Sequence, residues 1–251
     1  PNCDVPLTYH KEDNKIKCHH CDYELSAADL KCENCGSEVF SNTGFGTERI
    51  VDEVRRLFPM ARIARLDSDI ASRKKEFNMT LFGFENHDYD ILIGTQMIAK
   101  GHDFKDVELA VSLMADKSLS IPNYKANEDT FDLLTQLIGR AGRFSNNGKA
   151  IIQTYMPENE IINLSANQDY EQFYKFEMHN RKVFQYPPYT FLAIITISGT
   201  DSDELETFCY KVKGYLTAEL KNARVNIYGP SFPYIKKVNN RYYRKLMLKY
   251  K

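Results

Sequence analysis

Hydrophobic and polar residues alternate in blocks along the middle of the chain. Four short apolar runs predict buried strands at Ala61–Asp67, Asp90–Thr95, Glu108–Ala115 and Lys149–Tyr155. The stretches between them predict helices from about Ser72 to Phe84 and from Asp129 to Gly142. Strands separated by helices indicate an α/β lobe, a mostly parallel sheet with helices on both faces. Ligands usually bind such sheets at the carboxyl ends of the strands.

The two ends of the chain depart from this pattern. Residues 1–40 are polar and rich in cysteine, as is typical of a small metal-held module. A helical stretch at 160–183 is followed by a rigid Tyr-Pro-Pro-Tyr break at 186–189. Beyond the break, strands at 191–198, 225–228 and 242–249 and a helix at 202–220 predict a small α+β domain. We therefore predict three domains, at 1–40, 41–183 and 184–251, the last of them truncated.

A glycine-rich turn precedes the first helix of the central lobe. Thr47 follows this turn and is predicted to be the N-cap of a helix that runs through Phe58, with Pro59 ending it. Within that helix, residues 52–55 read Asp-Glu-Val-Arg and resemble the acidic box of ATP-driven motors. Inside a helix, a solvated charged face is the better interpretation of these residues.

Composition restricts the class of protein further. The chain has 251 residues, of which 43% are hydrophobic, which suffices for a buried core. No apolar run approaches the roughly 20 residues that span a bilayer, and no secretory signal opens the sequence. The formal net charge is −1, so contact with nucleic acid has to rest on local basic patches. We expect a cytoplasmic protein with no membrane partner.

Closely spaced cysteines predict a structural zinc site near the start of the chain. Two C-x-x-C pairs, Cys18 with Cys21 and Cys32 with Cys35, are separated by ten residues. Four thiolates at this spacing can surround one tetrahedral zinc ion. Pro-Asn-Cys3 resembles the end of another such pair whose first cysteine has been cut away. In that case Cys3 would join the first pair, and the second pair would belong to another ion.

Three further residues bear on the metal prediction. His19 and His20 could substitute as ligands, although histidines between two ligating cysteines more often point to solvent. Cys209 stands alone among apolar residues and is expected to be an ordinary buried thiol. The ligand pairing therefore stays open at this point, as does the number of ions, one or two.

Two motifs in the central lobe indicate phosphate chemistry. Residues 136–143 read Gln-Leu-Ile-Gly-Arg-Ala-Gly-Arg. Arg140 and Arg143 lie three apart on a predicted helix, so both guanidinium groups share one face and can grip phosphates or transition-state charge. About thirty residues earlier, a buried strand is followed by a Gly-Thr turn and a Lys-Gly-His-Asp loop at 100–103. Together these stretches resemble motifs V and VI of superfamily 2 helicases, which come from the second of two motor sheets.

The other half of an ATP site is not recognisable in the sequence. The stretch from Gly142 to Ala150 superficially resembles a phosphate-binding loop. However, its glycines are one residue too far apart, and Ala150 stands where a hydroxyl would bind Mg²⁺. A turn between a helix and the next strand explains it better. We expect this chain alone not to hydrolyse ATP.

A wider set of motifs resembles one family. The set comprises the cysteine pairs, Gly-Thr-Glu at 46–48, Leu-Asp-Ser-Asp at 66–69, Gly-Thr-Gln-Met-Ile-Ala-Lys-Gly-His at 94–102, Gly-Arg-Ala-Gly-Arg at 139–143, Tyr-Pro-Pro-Tyr at 186–189 and Tyr-Gly-Pro-Ser at 228–231. In this combination the chain resembles the primosomal protein N′ (PriA-type) replication-restart helicases of bacteria over nearly its whole length. The resemblance implies a RecA-like second helicase lobe with an embedded cysteine-rich zinc module. A small α+β C-terminal domain would follow, and the P-loop and DEAH-type box would lie upstream.

The resemblance also implies roles for individual residues. It places Arg140 and Arg143 against the ATP phosphates, with Arg143 as the arginine finger. The further residues it implies near ATP are Gln136, Gly101 and Asp103. It implies that Thr95 contacts a DNA phosphate. With weaker support, it implies that Lys100 and His102 contact DNA or the other motor lobe. It leaves the cysteine set incomplete, since further family cysteines would precede residue 1.

A basic stretch near the end of the chain predicts a DNA contact. The segment from 236 to 251 carries seven basic residues and no acidic one, interleaved with tyrosines. Basic charge attracts phosphates and tyrosine rings can stack on unpaired bases. The residues predicted to contact DNA are Lys236, Lys237, Arg241 and Arg244. The plain alternative is a strand with a solvated basic face.

The resemblance implies a C-terminal part of an ATP-dependent 3′–5′ DNA helicase that recognises stalled forks and restarts replication by primosome assembly. Zinc would be structural, and ATP and Mg²⁺ would act in the full-length protein. Implied partners are forked and single-stranded DNA, single-stranded-DNA-binding protein, and primosome and helicase-loader proteins, around a monomer associated with the bacterial nucleoid. Two alternatives are a zinc-ribbon nucleic-acid-binding module without motor activity and another superfamily 2 helicase of RecG-like type.

Overall fold

A computed structural model of the chain describes residues 2–10, 13–32, 34–37, 46–67, 73–96, 104, 106–142 and 148–251. These residues form two compact units. The first unit combines Pro1–Phe40 with Phe176–Lys251, and the second is Ser41–Lys175. Among the described residues, no helix has both the length and the apolar character needed to cross a bilayer.

The second unit is built from parallel strand pairs and helices. Its strands are β4 (Ile63–Leu66), β5 (Ile91–Gly94), β6 (Leu109–Ser112) and β7 (Lys149–Ile152). Its helices are α1 (Thr47–Leu57), α2 (Lys74–Glu85), α3 (Asp116–Leu119), α4 (Ala126–Ile138) and α5 (Glu160–Ala166), followed by the first part of α6 (Tyr170–Val183). β4 pairs with β5 and β6 with β7, both in parallel. Each predicted strand of the lobe is present, and the α/β prediction is confirmed.

The core of the second unit lies between the sheets and their helices. Leu66 at the end of β4, Leu81 in α2 and Phe104 are all buried and form one hydrophobic cluster. In α4, Leu134 is fully buried, and the Phe131 ring stacks on Phe173 of α6 with centroids 4.0 Å apart. The first cluster therefore packs at the carboxyl end of β4, and the second holds α4, the helix that carries Gln136.

The cysteine-rich part of the first unit is a three-stranded antiparallel ribbon. Its strands are β1 (Thr8–His10), β2 (Lys15–Lys17) and β3 (Glu24–Ser26), in the order β1-β2-β3. Ile16 in the middle strand is buried. The C-x-x-C pair that begins at Cys18 occupies the turn between β2 and β3.

The C-terminal part of the first unit is an antiparallel sheet with one helix. β8 (Phe191–Gly199) pairs with the long strand β11 (Arg241–Tyr250), which also pairs with β9 (Val225–Ser231) and β10 (Lys237–Val238). Helix α7 (Ser202–Glu219) packs on this sheet. Leu246 of β11 and Cys209 of α7 have no exposed surface. The prediction that Cys209 is a buried thiol is therefore confirmed.

Two local predictions were wrong. Gly46, not Thr47, is the N-cap of α1, and as a glycine it has no side chain that could form a capping hydrogen bond. Thr47 is the first residue of the helix, and its hydroxyl donates to Asp67 Oδ2 at 2.9 Å. The predicted helix that was to carry both arginines ends at Ile138, so Arg140 lies in the turn that follows. By contrast, the prediction that 160–183 is helical is confirmed, and the stretch consists of two helices, α5 and α6, separated by a turn in which Gln168 has a positive φ.

Candidate functional site

The strongest candidate site is a cluster of three cysteines in the first unit. The Sγ atoms of Cys3, Cys18 and Cys21 all lie within 4.8 Å of one another. Thiolates about 2.3 Å from a tetrahedral zinc ion would be separated by about 3.8 Å, so this cluster needs little adjustment to hold the ion. Cys18 is buried, and the other two are partly exposed. No further described His, Cys, Asp or Glu belongs to the cluster, so a fourth ligand would come from outside it.

Backbone turns explain why the first C-x-x-C pair is held ready for a metal. The Cys18 N–H donates to the Tyr23 carbonyl at 2.9 Å, and the Asp22 N–H donates to the Cys18 carbonyl at 3.0 Å. Asp22 adopts a left-handed conformation, with φ 55°. The chain thereby doubles back around the Cys18 side chain and brings Cys21 to the same point.

The second C-x-x-C pair repeats this turn but lies outside the cluster. The Cys32 N–H donates to the Ser37 carbonyl at 2.9 Å, and the Gly36 N–H donates to the Cys32 carbonyl at 2.8 Å. Gly36 has φ 68°, in the position that Asp22 occupies in the first pair. Of the two pairings considered from sequence, the structure brings together the one with Cys3. Cys32 and Cys35 keep the shape of a metal-binding pair without joining it.

Hydrogen bonds influence the acidity of the clustered thiols. Backbone N–H groups, first that of His20 and then that of Cys21, lower the pKa of Cys18 against the effect of burial. Burial raises the pKa of Cys3, and the Asn239 N–H acts in the opposite direction. Metal binding requires thiolates, so N–H groups aimed at sulfur favour the binding form.

The Asn239 contact joins the cluster to the C-terminal sheet. Its N–H donates to Cys3 Sγ at 3.2 Å. Next to it, the Asn240 N–H donates to the Asn2 carbonyl at 2.8 Å, and the Asp4 N–H donates to the Lys237 carbonyl at 2.9 Å. The turn between β10 and β11 therefore lies against residues 2–4. Sequence reasoning did not assign a role to either asparagine.

Three of the residues predicted to contact DNA surround this turn, and we call them the basic hairpin: Lys236, Lys237 and Arg241. The Lys236 ammonium lies 5.2 Å from the Phe232 ring centroid, and that of Lys237 lies 5.3 Å from the Tyr242 centroid. Arg241 is exposed and donates to Ser198 Oγ at 3.0 Å. Cations and aromatic rings are thus interleaved, as single-stranded nucleic acid would require.

The fourth predicted residue, Arg244, has a different environment. It is only 4% exposed. Its guanidinium lies 4.0 Å from the Phe232 ring centroid and donates to Ser202 Oγ at 3.1 Å, with Glu206 at 3.4 Å. A role in DNA binding stays a prediction, but most of this side chain is occupied by contacts within the domain.

One edge of the second unit collects polar residues at strand ends. Leu66 at the end of β4 pairs with Gly94 at the end of β5. Asp67 and Thr95, the next residue of each strand, therefore lie side by side at the edge of the sheet. The Thr95 N–H donates to the Leu66 carbonyl at 3.2 Å, and its side chain is exposed. Asp67 is buried and accepts from the Thr47 hydroxyl. This is the carboxyl edge at which parallel sheets bind ligands.

An ionic network that the sequence did not reveal supports that edge. Arg65 contacts Glu48 Oε1 at 2.7 Å and Asp67 Oδ2 at 3.2 Å, which ties the start of α1 to the end of β4. The only sequence signal was the strand alternation, which could place Arg65 on one face but could not identify its partners. Near the ends of β6 and β7, Asp116 similarly accepts from the Thr154 hydroxyl and the Tyr155 N–H, which lower its pKa.

The described part of the arginine motif lies at the end of α4. Gln136 is exposed on the helix, and Arg140 is half-buried in the following turn. The Gly142 N–H donates to the Val107 carbonyl at 2.9 Å, which attaches the turn to the segment before β6. The other residues predicted near ATP or DNA in this lobe lie outside the described residues: Lys100, Gly101, His102, Asp103 and Arg143.

Comparison with known proteins extends these observations over the whole chain. Residues 1–25 match the model of the PriA DNA helicase Cys-rich region domain. Residues 34–145 match the helicase conserved C-terminal domain, and residues 182–251 match the primosomal protein N C-terminal domain. Fold and site therefore define the C-terminal part of a helicase that carries a cysteine-rich zinc ribbon.

Curated relatives identify the family. The chain is 41% identical over 251 residues to the replication restart protein PriA of Bacillus subtilis, covering 100% of this chain and 31% of that protein. It is 35% identical over 246 residues to the replication restart protein PriA of Borreliella burgdorferi, covering 96% of this chain and 36% of that one. The chain belongs to the PriA family of replication restart proteins. It spans about a third of the length of these relatives.

Proposed function

We propose that this chain is the second motor lobe, zinc ribbon and C-terminal domain of an ATP-dependent 3′–5′ DNA helicase that restarts replication at stalled forks. The observation that carries the proposal is the joint occurrence of a helicase C-terminal domain and a three-thiolate cluster in one PriA-type chain. The P-loop and the Mg²⁺-binding carboxylate would be supplied by other parts of the complete protein. The 251-residue chain on its own would not hydrolyse ATP.

In this proposal the second unit senses nucleotide. Arg140 and Arg143 would neutralise charge on the ATP phosphates, with Arg143 as the arginine finger. The remaining proposed ATP-side residues are Gln136, Gly101 and Asp103. Thr95 and Lys100 would contact DNA phosphates, so one edge of the lobe would serve both ligands. That Thr95 and Asp67 leave the sheet side by side supports this arrangement.

In the first unit, zinc would be a structural ion held by Cys3, Cys18 and Cys21 with one further ligand. The twin turn at Cys32 and Cys35 supports a second ion completed by ligands beyond those described. When bound, the ion supplies cross-links between segments too short to form a core of their own. The basic hairpin would hold the phosphates of forked or single-stranded DNA.

The partners that we propose follow from the restart function. They are forked and single-stranded DNA, single-stranded-DNA-binding protein, and the primosome and helicase-loader proteins. We propose that the helicase is a monomer that acts at the bacterial nucleoid, where its DNA substrate lies.

ATP hydrolysis by the complete protein that contains this chain tests the motor. The rate would be measured without DNA, with single-stranded DNA and with a forked duplex. We expect DNA to stimulate hydrolysis and Arg143→Ala to reduce the stimulated rate by roughly 10³-fold or more. Arg56→Ala is the control, since Arg56 is exposed on α1 and forms an ion pair with the nearby Glu53. Absent or DNA-independent hydrolysis would favour a zinc-ribbon binding module without motor activity.

DNA binding by the 251-residue chain tests the basic hairpin. We expect the triple variant Lys236→Ala, Lys237→Ala and Arg241→Ala to bind a fork more weakly. The slope of log affinity against log salt should become shallower by about 0.7–0.9 for each phosphate that the variant no longer neutralises. The matched control removes two lysines and one arginine that are exposed elsewhere in the same unit: Lys211, Lys221 and Arg224. Equal losses of affinity in both triple variants would mean a diffuse charge effect and no site at the hairpin.

A further inference from the structure

The turn between β10 and β11 lies closer to the cysteine cluster than its place in the sequence suggests. Three backbone hydrogen bonds join it to residues 2–4, and one of them ends on a candidate metal ligand, Cys3 Sγ. An amide pair, Asn240 Nδ2 with Asn2 Oδ1 at 3.3 Å, adds to the contact. The contact therefore involves β10, both residues of the turn and both neighbours of Cys3.

The geometry of the turn explains why its N–H is available to sulfur. Asn239 and Asn240 have φ values of 49° and 59°, and the flanking Val238 and Arg241 pair across the ladder. Two left-handed residues between paired strands form a two-residue hairpin of type I′, for which asparagine is well suited. The first residue of such a turn does not use its N–H in the ladder. The Asn239 N–H is therefore directed at Cys3.

A bound ion would stabilise the ribbon side of the contact. Residues 2–4 form no strand or helix, and they lie near the start of the described residues. An ion bound by Cys3, Cys18 and Cys21 would tie this segment to the turn after β2. Hydrogen bonds to ligand atoms orient the ligands of metal sites, and removing them typically weakens metal affinity. A thiolate bound to zinc also keeps the negative charge that makes it a good acceptor.

We infer that the β10–β11 turn is an outer part of the metal centre, and that metal binding fixes the basic hairpin against the cysteine ribbon. Asn239 is a positioning residue for Cys3, and the ion in turn holds Lys236, Lys237 and Arg241 in place. The inference rests on the proposed zinc site, and it adds that zinc and the hairpin stabilise each other. Coupling of this kind is reciprocal, so a perturbed turn must weaken metal binding as much as metal loss frees the turn.

Hydrogen–deuterium exchange on the 251-residue chain tests one direction of the coupling. Exchange in peptides covering 234–245 would be compared with zinc bound and after removal by a chelator. We expect metal removal to speed exchange around Asn239 and Asn240 by about tenfold or more, since local opening governs exchange. Peptides from α7 serve as the internal reference and should not change. Hairpin exchange that is unaltered when the metal has been removed would overturn the inference.

A matched pair of variants tests the other direction. Asn239→Val places a β-branched residue at φ 49°, which strains the turn, whereas Asn239→Gly accepts that conformation and keeps the same N–H. We expect Asn239→Val to bind zinc about tenfold more weakly and to shift the thiolate-to-metal band of the cobalt-substituted protein. Asn239→Gly should match the parent in both measurements, and circular dichroism would verify that both variants fold.

The outcomes separate this inference from the proposed function. If the parent chain gives no thiolate-to-cobalt band, the zinc site and the inference both fail. If the band is present but Asn239→Val leaves it and the zinc affinity unchanged, only the inference fails. Fork binding is measured independently, so a hairpin that couples to zinc without binding DNA would refute the DNA proposal alone.

Discussion

Replacing Arg244 by alanine should destabilise the C-terminal sheet more than it affects DNA binding. The guanidinium lies 4.0 Å from the Phe232 ring centroid in a buried setting, a contact worth about 1–2 kcal/mol. Its hydrogen bond to Ser202 at 3.1 Å contributes about 1.5–3 kcal/mol, as is usual for a charged donor. The ion pair with Glu206 adds less than about 1 kcal/mol, since Glu206 is 48% exposed.

Part of this sum is offset by the desolvation of a buried cation, so we expect a net loss of about 3 kcal/mol. For a domain of this size, that loss lowers the melting temperature by more than about 10 °C. Because the chain has no tryptophan, circular dichroism is the suitable probe. Arg241→Ala is the matched control on the same strand, and its stability should change by less than about 1 kcal/mol. An Arg244→Ala variant that melts like the parent yet binds DNA as weakly as Arg241→Ala would refute this reasoning.

Three further predictions address the rest of the chain. Gly229→Ala should cost about 1–3 kcal/mol in thermal unfolding, because Gly229 has φ 101° and an added Cβ would lie 2.7 Å from the Lys245 carbonyl; an unchanged melting temperature would contradict it. Leu134→Ala should cost about 2–5 kcal/mol, since Leu134 is fully buried in α4; a loss below about 1 kcal/mol would mean that the site is not well packed. Hydrogen bonds from Arg62 hold the pKa of Asp90 at about 2. The pair therefore stabilises the fold fully at pH values above 3.8, the ordinary carboxyl pKa, and this stabilisation is lost as the pH falls through about 2. The melting curves of the parent and Asp90→Asn should differ at about pH 6 and converge towards about pH 2, and a constant difference would count against the assignment.

Much of the fold could be predicted because it follows from local patterns. The apolar runs predict all four strands of the second unit, with ends that differ by up to three residues from those observed. Spacing alone predicts the cysteine turn at Cys18, since C-x-x-C constrains the backbone strongly. By contrast, the apolar pattern places the end of α4 too late, because it continues past Gly139, the residue at which the helix terminates.

The orientation of the basic strand is available from the sequence, but counting charges does not reveal it. Side chains along a strand alternate between faces, so Arg244 shares a face with Leu246 and Leu248. Both leucines are buried, and Arg244 is directed towards α7 together with them. Counting basic residues along 236–251 treats the two faces as one. Considering each face separately would distinguish Arg241 from Arg244.

The contact between Asn239 and Cys3 could not be predicted from the sequence. It can nevertheless form, because the entropy cost of closing a long loop is small. The two residues are 236 positions apart, and the chain forms a complete second unit between them. Closing a longer loop costs little extra, about 0.6 kcal/mol for each doubling of its length. A few backbone hydrogen bonds worth about 1 kcal/mol each, reinforced by a metal that immobilises one side, can therefore hold the two ends of the first unit together. Without the metal the margin is small, and for this reason the contact should respond to zinc whereas the α7 core should not.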